Sequence, residues 1–154
     1  MAVGAPVEVD IGALAPGEAV LVEWHGEPVW VVRRTREMLA SLKISAEHVS
    51  DPNSNRPMQP ESCRNDTRSI RPDILVVIGI CTHLGCSPTP KLKGGSVSDA
   101  GSDWTGGFLC ACHGSTFDLA GRVFKNKPAP DNLRVPPYRY LNDAKIVVGE
   151  ESGA

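Results

Sequence analysis

Residues 74–86 read ILVVIGICTHLGC, an apolar run that leads directly into two cysteines and a histidine. The seven residues before the first cysteine predict a strand buried on both faces. A second segment, residues 108–115, repeats the arrangement as FLCACHGS. We therefore expect two loops of potential metal ligands, each supported by a buried strand.

The remaining sequence predicts short strands and a single helix. Glycine (15) and proline (13) are frequent among the 154 residues, which favours turns over long helices. Apolar stretches and turn residues predict the following regular elements: a three-stranded meander in 7–34, a short helix in 35–44, a hairpin in 116–124 with its turn at 118–121, and two closing strands in 138–148.

Three stretches are expected to be irregular. Residues 50–72 and 87–107 are rich in turn-forming and polar residues, and residues 128–137 contain four prolines, which exclude regular sheet. Cys63 lies in the first of these stretches, within the polar sequence ESCRN. We expect it to be a thiol without a catalytic role.

Charge and hydropathy narrow the possible functions. The 16 basic and 18 acidic residues give a net charge of −2, so we expect no nucleic-acid partner, which would favour a basic surplus. No apolar run reaches the roughly 20 residues that span a bilayer. Residues 1–10 also lack the basic and then apolar regions of a secretion signal.

The two loops mix cysteine and histidine in an unusual way. Cys81 stands two residues before His83, and Cys110 stands three residues before His113. Cysteine and histidine together suit zinc, iron or an iron–sulfur cluster. A pair of mixed loops presents two thiolates together and two imidazoles together, as required where two histidines replace two cysteines on one iron of a 2Fe-2S cluster. A structural zinc site and buried structural cysteines remain alternatives.

The two segments resemble the cluster-binding boxes of Rieske proteins, here CTHLGC at 81–86 and CACHGS at 110–115. Residues 121–138, GRVFKNKPAPDNLRVPPY, resemble the proline loop and following strand of the iron–sulfur subunit of bacterial cytochrome bc complexes. The resemblance implies an all-β, antiparallel Rieske-type β-sandwich with one short helix. It also implies a base subdomain at 1–78 and 133–154, with a cluster-binding subdomain inserted at 79–132.

The resemblance implies a ligand set for one 2Fe-2S cluster. Cys81 and Cys110 would supply two thiolates to one iron. His83 and His113 would supply two imidazoles to the other. The resemblance also implies a disulfide between Cys86 and Cys112, although two separate thiols remain an alternative. A stable disulfide favours an oxidising compartment, here the periplasmic side of the bacterial inner membrane.

Further positions are implied to surround the cluster. Ser115 matches a serine that hydrogen-bonds a cluster sulfide, although it could also be an ordinary turn serine. Phe117 stands where the family usually has tyrosine, so we expect a lower reduction potential than in tyrosine-bearing relatives. Leu84 is expected to contact a quinone-pocket partner or to pack locally, Gly85 to form the tight turn, and Pro128 to belong to the loop covering one side of the cluster.

The resemblance implies an electron-transfer subunit of a respiratory quinol–cytochrome c reductase. It would accept an electron from ubiquinol, with the proton going to His113, and pass the electron to a cytochrome c-type haem. Its partners would be cytochrome b and a cytochrome c-type subunit, and the isolated chain would be an electron carrier only. The family carries an N-terminal membrane anchor that this sequence lacks, so we expect a fragment that begins after the anchor. The alternatives are a Rieske subunit of another periplasmic oxidase, such as an arsenite oxidase, and a structural zinc module.

Overall fold

The computed structural model describes residues 5–82, 86–92, 106–110, 114–125 and 129–150. Within these ranges the chain forms short strands, one α-helix and one 3₁₀ turn. In chain order, the elements are β1 (Val7–Asp10), β2 (Ala19–Trp24), β3 (Glu27–Arg33), α1 (Arg36–Ser45), a 3₁₀ turn (Glu61–Cys63), β4 (Ile74–Ile78), β5 (Thr89–Lys91), β6 (Gly107–Cys110), β7 (Ser115–Phe117), β8 (Tyr138–Asn142) and β9 (Lys145–Val148). All strand pairs are antiparallel, which confirms the predicted fold class.

The first sheet has the order β2-β3-β4 and supports the first box. β4 is buried along its whole length, as its uninterrupted apolar sequence predicts. Its central residue Val76 pairs with Val31 of β3. The strand ends three residues before Cys81. The sheet therefore fixes the position from which the chain enters the first box.

The second sheet has the order β1-β9-β8 and corrects one expectation. β1 was expected to form a meander with β2 and β3, but it pairs with β9, where Val9 lies opposite Ile146. Both side chains are buried. Alternation in the sequence identifies a strand but not a partner more than 130 residues away, and this long-range pairing therefore could not be predicted.

The third sheet has the order β5-β6-β7 and carries the second box. Cys110 at the end of β6 pairs with Ser115 at the start of β7, as strands joined by a short loop do. β5 lies in the stretch 87–107 that was expected to be irregular. Its sequence, TPK, has no apolar alternation, so the strand exists through its pairing with β6.

Helix α1 begins at a side-chain cap. The Thr35 hydroxyl accepts a hydrogen bond from the Met38 amide at 3.1 Å, and the Met38 sulfur accepts one from the Thr35 amide at 3.3 Å. Met38, Leu42 and Ser45 recur along one buried face at the spacing of an amphipathic helix. The helix predicted at 35–44 is thus confirmed within one residue at each end.

Two other local predictions are confirmed. The turn after β7 is closed by hydrogen bonds from Asp118 N to Arg122 O and from Gly121 N to Asp118 O, both 2.9 Å. β8 and β9 form the closing pair, with Asp143 and Ala144 between them. One apolar core connects all three sheets and includes both Cys81 and Cys110. None of the described residues forms a helix long and apolar enough to cross a membrane.

Candidate metal centre

The first cysteine of each box opens a hydrogen-bonded turn. The Cys81 amide donates to the Cys86 carbonyl at 2.6 Å, and the Gly114 amide donates to the Cys110 carbonyl at 2.9 Å. Both leading cysteines are 2% exposed. The two strands thus lead to two buried cysteines, each at the start of a segment closed by a backbone hydrogen bond.

The described cysteines differ in their bonding. Cys81 and Cys110 carry thiols, whereas Cys86 is disulfide-bonded. A thiolate is the form of cysteine that ligates metals, and a disulfide cysteine cannot act in that way. The proposed partner Cys112 lies outside the described residues, so its pairing with Cys86 stays a prediction.

The close approach of β6 and β7 depends on Gly107. This residue has φ +142, and a Cβ atom there would lie 2.0 Å from the Phe117 carbonyl oxygen. No other residue type fits that gap without moving the backbone. Gly107 therefore allows the tight hairpin that holds Cys110 opposite Ser115.

The proline segment, defined here as residues 129–132, bonds to both boxes. The Ala129 amide donates to the Ser115 hydroxyl oxygen at 2.9 Å. The Thr82 hydroxyl donates to the Asp131 carbonyl at 2.6 Å and accepts from the Asp131 amide at 3.2 Å. One short segment thus fixes the residue that follows Cys81 and the residue that faces Cys110.

The Ser115 hydroxyl accepts in its contact with Ala129, so its own hydrogen remains for a second partner. That geometry is compatible with the predicted donation to a cluster sulfide. Phe117, two residues later, is fully buried. The predicted roles of both residues beside a cluster remain predictions.

A buried ion pair holds the turn that follows β7. Asp118 Oδ2 lies 2.7 Å from Arg122 Nε, and the two side chains are 1% and 2% exposed. The Ser45 hydroxyl at the end of α1 donates to the same carboxylate oxygen at 2.8 Å. Asp118 Oδ1 accepts from the Ala120 and Arg122 amides at 2.8 and 2.9 Å. The carboxylate is therefore bonded at both oxygens, as a buried charge requires.

Two further buried arginines bond to the carbonyl groups of this turn. Arg34 donates to the Leu119 carbonyl at 2.9 Å, and Arg68 donates to the Ala120 carbonyl at 3.0 Å. Burial lowers the pKa of each guanidinium to about 10. Both groups are therefore charged at neutral pH and bind the turn through charge-assisted hydrogen bonds.

Cys63 carries a thiol, as expected. The polar sequence around it does not reveal that its side chain is fully buried. Its sulfur lies 3.8 Å from the Tyr138 hydroxyl, and burial raises the pKa of the thiol. The 3₁₀ turn at Glu61–Cys63 directs this one side chain inward, and its two neighbours Glu61 and Ser62 are exposed.

The structure describes only part of the predicted site. Cys81, Cys86, Cys110, Ser115 and Phe117 are described, and His83, Leu84, Gly85, Cys112, His113 and Pro128 lie outside the described ranges. Within the described ranges, no three histidine, cysteine or acidic side chains group as a metal site. Sequence reasoning missed Thr82 and the buried charges around the turn. The four-residue spacing of Asp118 and Arg122 is a weak signal for their pairing.

The donor atoms fit half of the ligand set of a Rieske cluster. Two buried thiols at the ends of two supported strands can supply the two thiolates that hold one iron. Each thiol lies at the start of a segment whose two ends are joined by a backbone hydrogen bond. The imidazole half rests on His83 and His113, which remain predictions.

Comparison with known proteins gives a consistent assignment. The profile of the Rieske 2Fe-2S domain matches residues 6–138. The chain is 58% identical over 153 residues to the ubiquinol–cytochrome c reductase iron–sulfur subunit of Allochromatium vinosum, covering 99% of this chain and 73% of that one. It is 41% identical over 145 residues to the mitochondrial cytochrome b-c1 complex subunit Rieske-1 of Arabidopsis thaliana, covering 94% of this chain and 46% of that one.

A solved structure supports the fold. A chain of a hyperthermophilic respiratory Complex III aligns with a TM-score of 0.52 and 21% identity, over 90% of this chain and 71% of that one. At this identity the likeness concerns the fold alone. It agrees with the three antiparallel sheets and the short helix.

Proposed function

This chain belongs to the Rieske 2Fe-2S family, and from that premise we propose that it is the iron–sulfur subunit of a ubiquinol–cytochrome c reductase. In this role it takes an electron from ubiquinol and passes it to a cytochrome c-type haem. Support comes from 58% identity to such a subunit over nearly the whole chain. The chain spans about three quarters of that relative and just under half of the plant one.

The structural observation that carries the proposal is the contrast within the first box. Cys81 is a buried thiol, and Cys86, five residues later, is disulfide-bonded. By the family resemblance, a second, disulfide-forming cysteine in each box distinguishes the cytochrome bc type from Rieske ferredoxins and ring-hydroxylating oxygenases. The bonding of Cys86 therefore favours the former.

The residues of this chain divide the work at the site. Cys81 and Cys110 would supply the thiolates, and His83 and His113 the imidazoles. When bound, a cluster with this ligand set supplies one-electron redox chemistry at roughly −150 to +300 mV, above the about −400 mV of plant-type ferredoxins. Hydrogen bonds of Ser115 and Thr82 attach the two boxes to the proline segment. His113 would face ubiquinol and receive its proton.

Cellular location and partners follow from the same proposal. Cytochrome b would provide the ubiquinol site, and a cytochrome c-type subunit would accept the electron. The disulfide-bonded Cys86 favours an oxidising compartment, so the domain would lie on the periplasmic side of the bacterial inner membrane. An anchor preceding this sequence would attach it to that membrane.

The cluster itself can be tested with two matched variants. The purified chain is expected to contain two irons and to give a rhombic electron paramagnetic resonance signal when reduced. Cys81→Ser removes one predicted thiolate and should abolish both. Cys63→Ser changes an equally buried thiol outside the boxes and should retain both.

The assignment to the reductase needs a second measurement. The full subunit, including its anchor, is added to membranes that contain the cytochrome subunits but lack their own iron–sulfur subunit. Recovery of ubiquinol-dependent cytochrome c reduction supports the proposal. An iron-loaded subunit that assembles there without restoring ubiquinol oxidation would contradict it, and electron transfer to an arsenite-oxidising partner instead would favour the alternative.

A further inference from the structure

We propose that Arg56 is a positioning residue that latches the proline segment onto the two boxes and thereby sets the reduction potential of the bound cluster. The contact between Arg56 and the proline segment does not depend on the function of the chain. Its effect on the reduction potential of the cluster rests on the proposed function. Nothing in the sequence pattern or the family resemblance assigns a role to Arg56, which lies in the irregular stretch between α1 and β4.

Arg56 contacts the proline segment at two adjacent residues. Its Nη1 atom donates to the Asp131 carboxylate at 3.0 Å and also to the Pro130 carbonyl. The arginine and aspartate side chains are 47% and 33% exposed. The contact therefore lies where the segment meets solvent. The same segment contacts the boxes through the Ala129 amide and the Asp131 backbone.

The loop that presents Arg56 is itself organised. Both carboxylate oxygens of Asp51 accept backbone hydrogen bonds, from the Asn55 amide at 2.9 Å and from the Arg56 amide at 3.0 Å. The Asp51 carbonyl also accepts from the Asn132 side chain at 3.4 Å. Asp51 and Asn132 are both buried. The loop that carries Arg56 is therefore held by these hydrogen bonds beside the proline segment.

Two hydrogen bonds carry the effect of the latch to the boxes. The Asp131 backbone exchanges bonds with Thr82, which follows Cys81. The Ala129 amide holds Ser115, whose predicted donation to a cluster sulfide stabilises the reduced state. Release of the segment loosens both contacts, so it lowers the reduction potential.

The latch can be measured by hydrogen exchange, which does not depend on electron transfer. The cluster-loaded chain is compared with Arg56→Gln and Asp131→Asn, and exchange is followed by mass spectrometry in peptides covering residues 129–133. Each variant should accelerate exchange there by about two- to fivefold, the effect of losing one partly exposed ion pair. The double variant should add little to Arg56→Gln, because Asp131→Asn removes one of the two contacts that Arg56→Gln already removes.

Two further variants separate the latch from a general loss of stability. Arg56→Lys keeps the charge and should restore most of the protection. Arg139→Gln removes an ion pair of similar exposure, 41% and 40%, between β8 and the residues after β9, and should leave the proline segment unchanged.

The potential provides the functional readout. Arg56→Gln and Asp131→Asn should both lower the midpoint potential of the cluster. Arg139→Gln should leave the midpoint potential unchanged. Unchanged exchange in both latch variants overturns the proposal, and so does faster exchange without a fall in potential. A wild-type chain that binds no iron would contradict the proposed function instead, and exchange measured on the iron-free chain and its variants would still test the latch.

Discussion

At the residue scale, the surroundings of each described cysteine decide its chemistry. Cys81 and Cys110 are thiols at the entrances of hydrogen-bonded turns, Cys86 is disulfide-bonded, and Cys63 is a thiol in the apolar core. The sequence separated the box cysteines from Cys63 because their spacing to histidine is a local pattern. It did not reveal the burial of Cys63, which depends on packing against Tyr138 of the C-terminal sheet.

Cys63 should be chemically inert and should lower stability at alkaline pH. Burial raises the pKa of this thiol above its ordinary value of 9.0. Above pH 9 the unfolded chain releases the proton before the folded chain does, so the free energy of unfolding decreases as pH rises. Denaturant unfolding of Cys63→Ala should show a smaller decrease between pH 8 and 10 than the parent. Equal decreases, or rapid alkylation of native Cys63 at pH 8, would contradict the burial.

Phe117→Tyr should raise the reduction potential. By the family resemblance, a tyrosine at this position donates to a ligand cysteine sulfur, and such a bond stabilises the extra negative charge of the reduced state. Phe124→Tyr is the matched control, because Phe124 is also buried but packs in a separate small cluster with Val49. A redox titration in which Phe117→Tyr shows no upward shift relative to this control would refute the assignment.

At the element scale, the hairpin of β6 and β7 is the structural unit of the site. The turn that follows β7 was predictable from the sequence because Asp118 to Gly121 is a local turn signal. Arg34 and Arg68, which bond to carbonyl groups of that turn, were not predictable as its partners because they come from distant parts of the chain. A hydrogen-bond donor that reaches the turn only through tertiary packing cannot be inferred from the local sequence of the turn.

Asp118→Ala should strongly destabilise the chain. It leaves Arg122 buried without its carboxylate, and breaking a buried ion pair in this way typically costs about 3–5 kcal/mol. Glu150→Ala breaks the partly exposed pair with Arg139 and should cost about 1 kcal/mol or less. Urea unfolding measures both. Similar losses from the two variants would show that the Asp118 contact does not stabilise the turn after β7.

Gly107→Ala should separate β6 from β7 and release the metal centre. The added Cβ would meet the Phe117 carbonyl oxygen at 2.0 Å, in a backbone conformation that is itself unfavourable for alanine. We expect a loss of about 3 kcal/mol or more together with loss of iron. Gly26→Ala also has positive φ but meets nothing within 4 Å, so it should cost about 1 kcal/mol and keep the iron. A Gly107→Ala chain that retains its iron would contradict the close-approach argument.

At the scale of the whole molecule, the sequence predicted what is local and missed what is long-range. The buried strand before Cys81, the helix and the closing hairpin follow from periodicity and turn residues. The pairing of β1 with β9, the strand β5 and the segment that ties both boxes together depend on contacts between distant residues. The box cysteines could be proposed as ligands because two segments that combine cysteine and histidine, each after an apolar run, occur in a single chain.

In the proposed site, thiolates bind one iron and imidazoles bind the other. This arrangement can be tested by pulsed electron paramagnetic resonance on the reduced protein, prepared with ¹⁵N-labelled histidine. We expect couplings from two directly bound histidine nitrogens. A spectrum without histidine couplings, or a colourless protein with no signal, would contradict it.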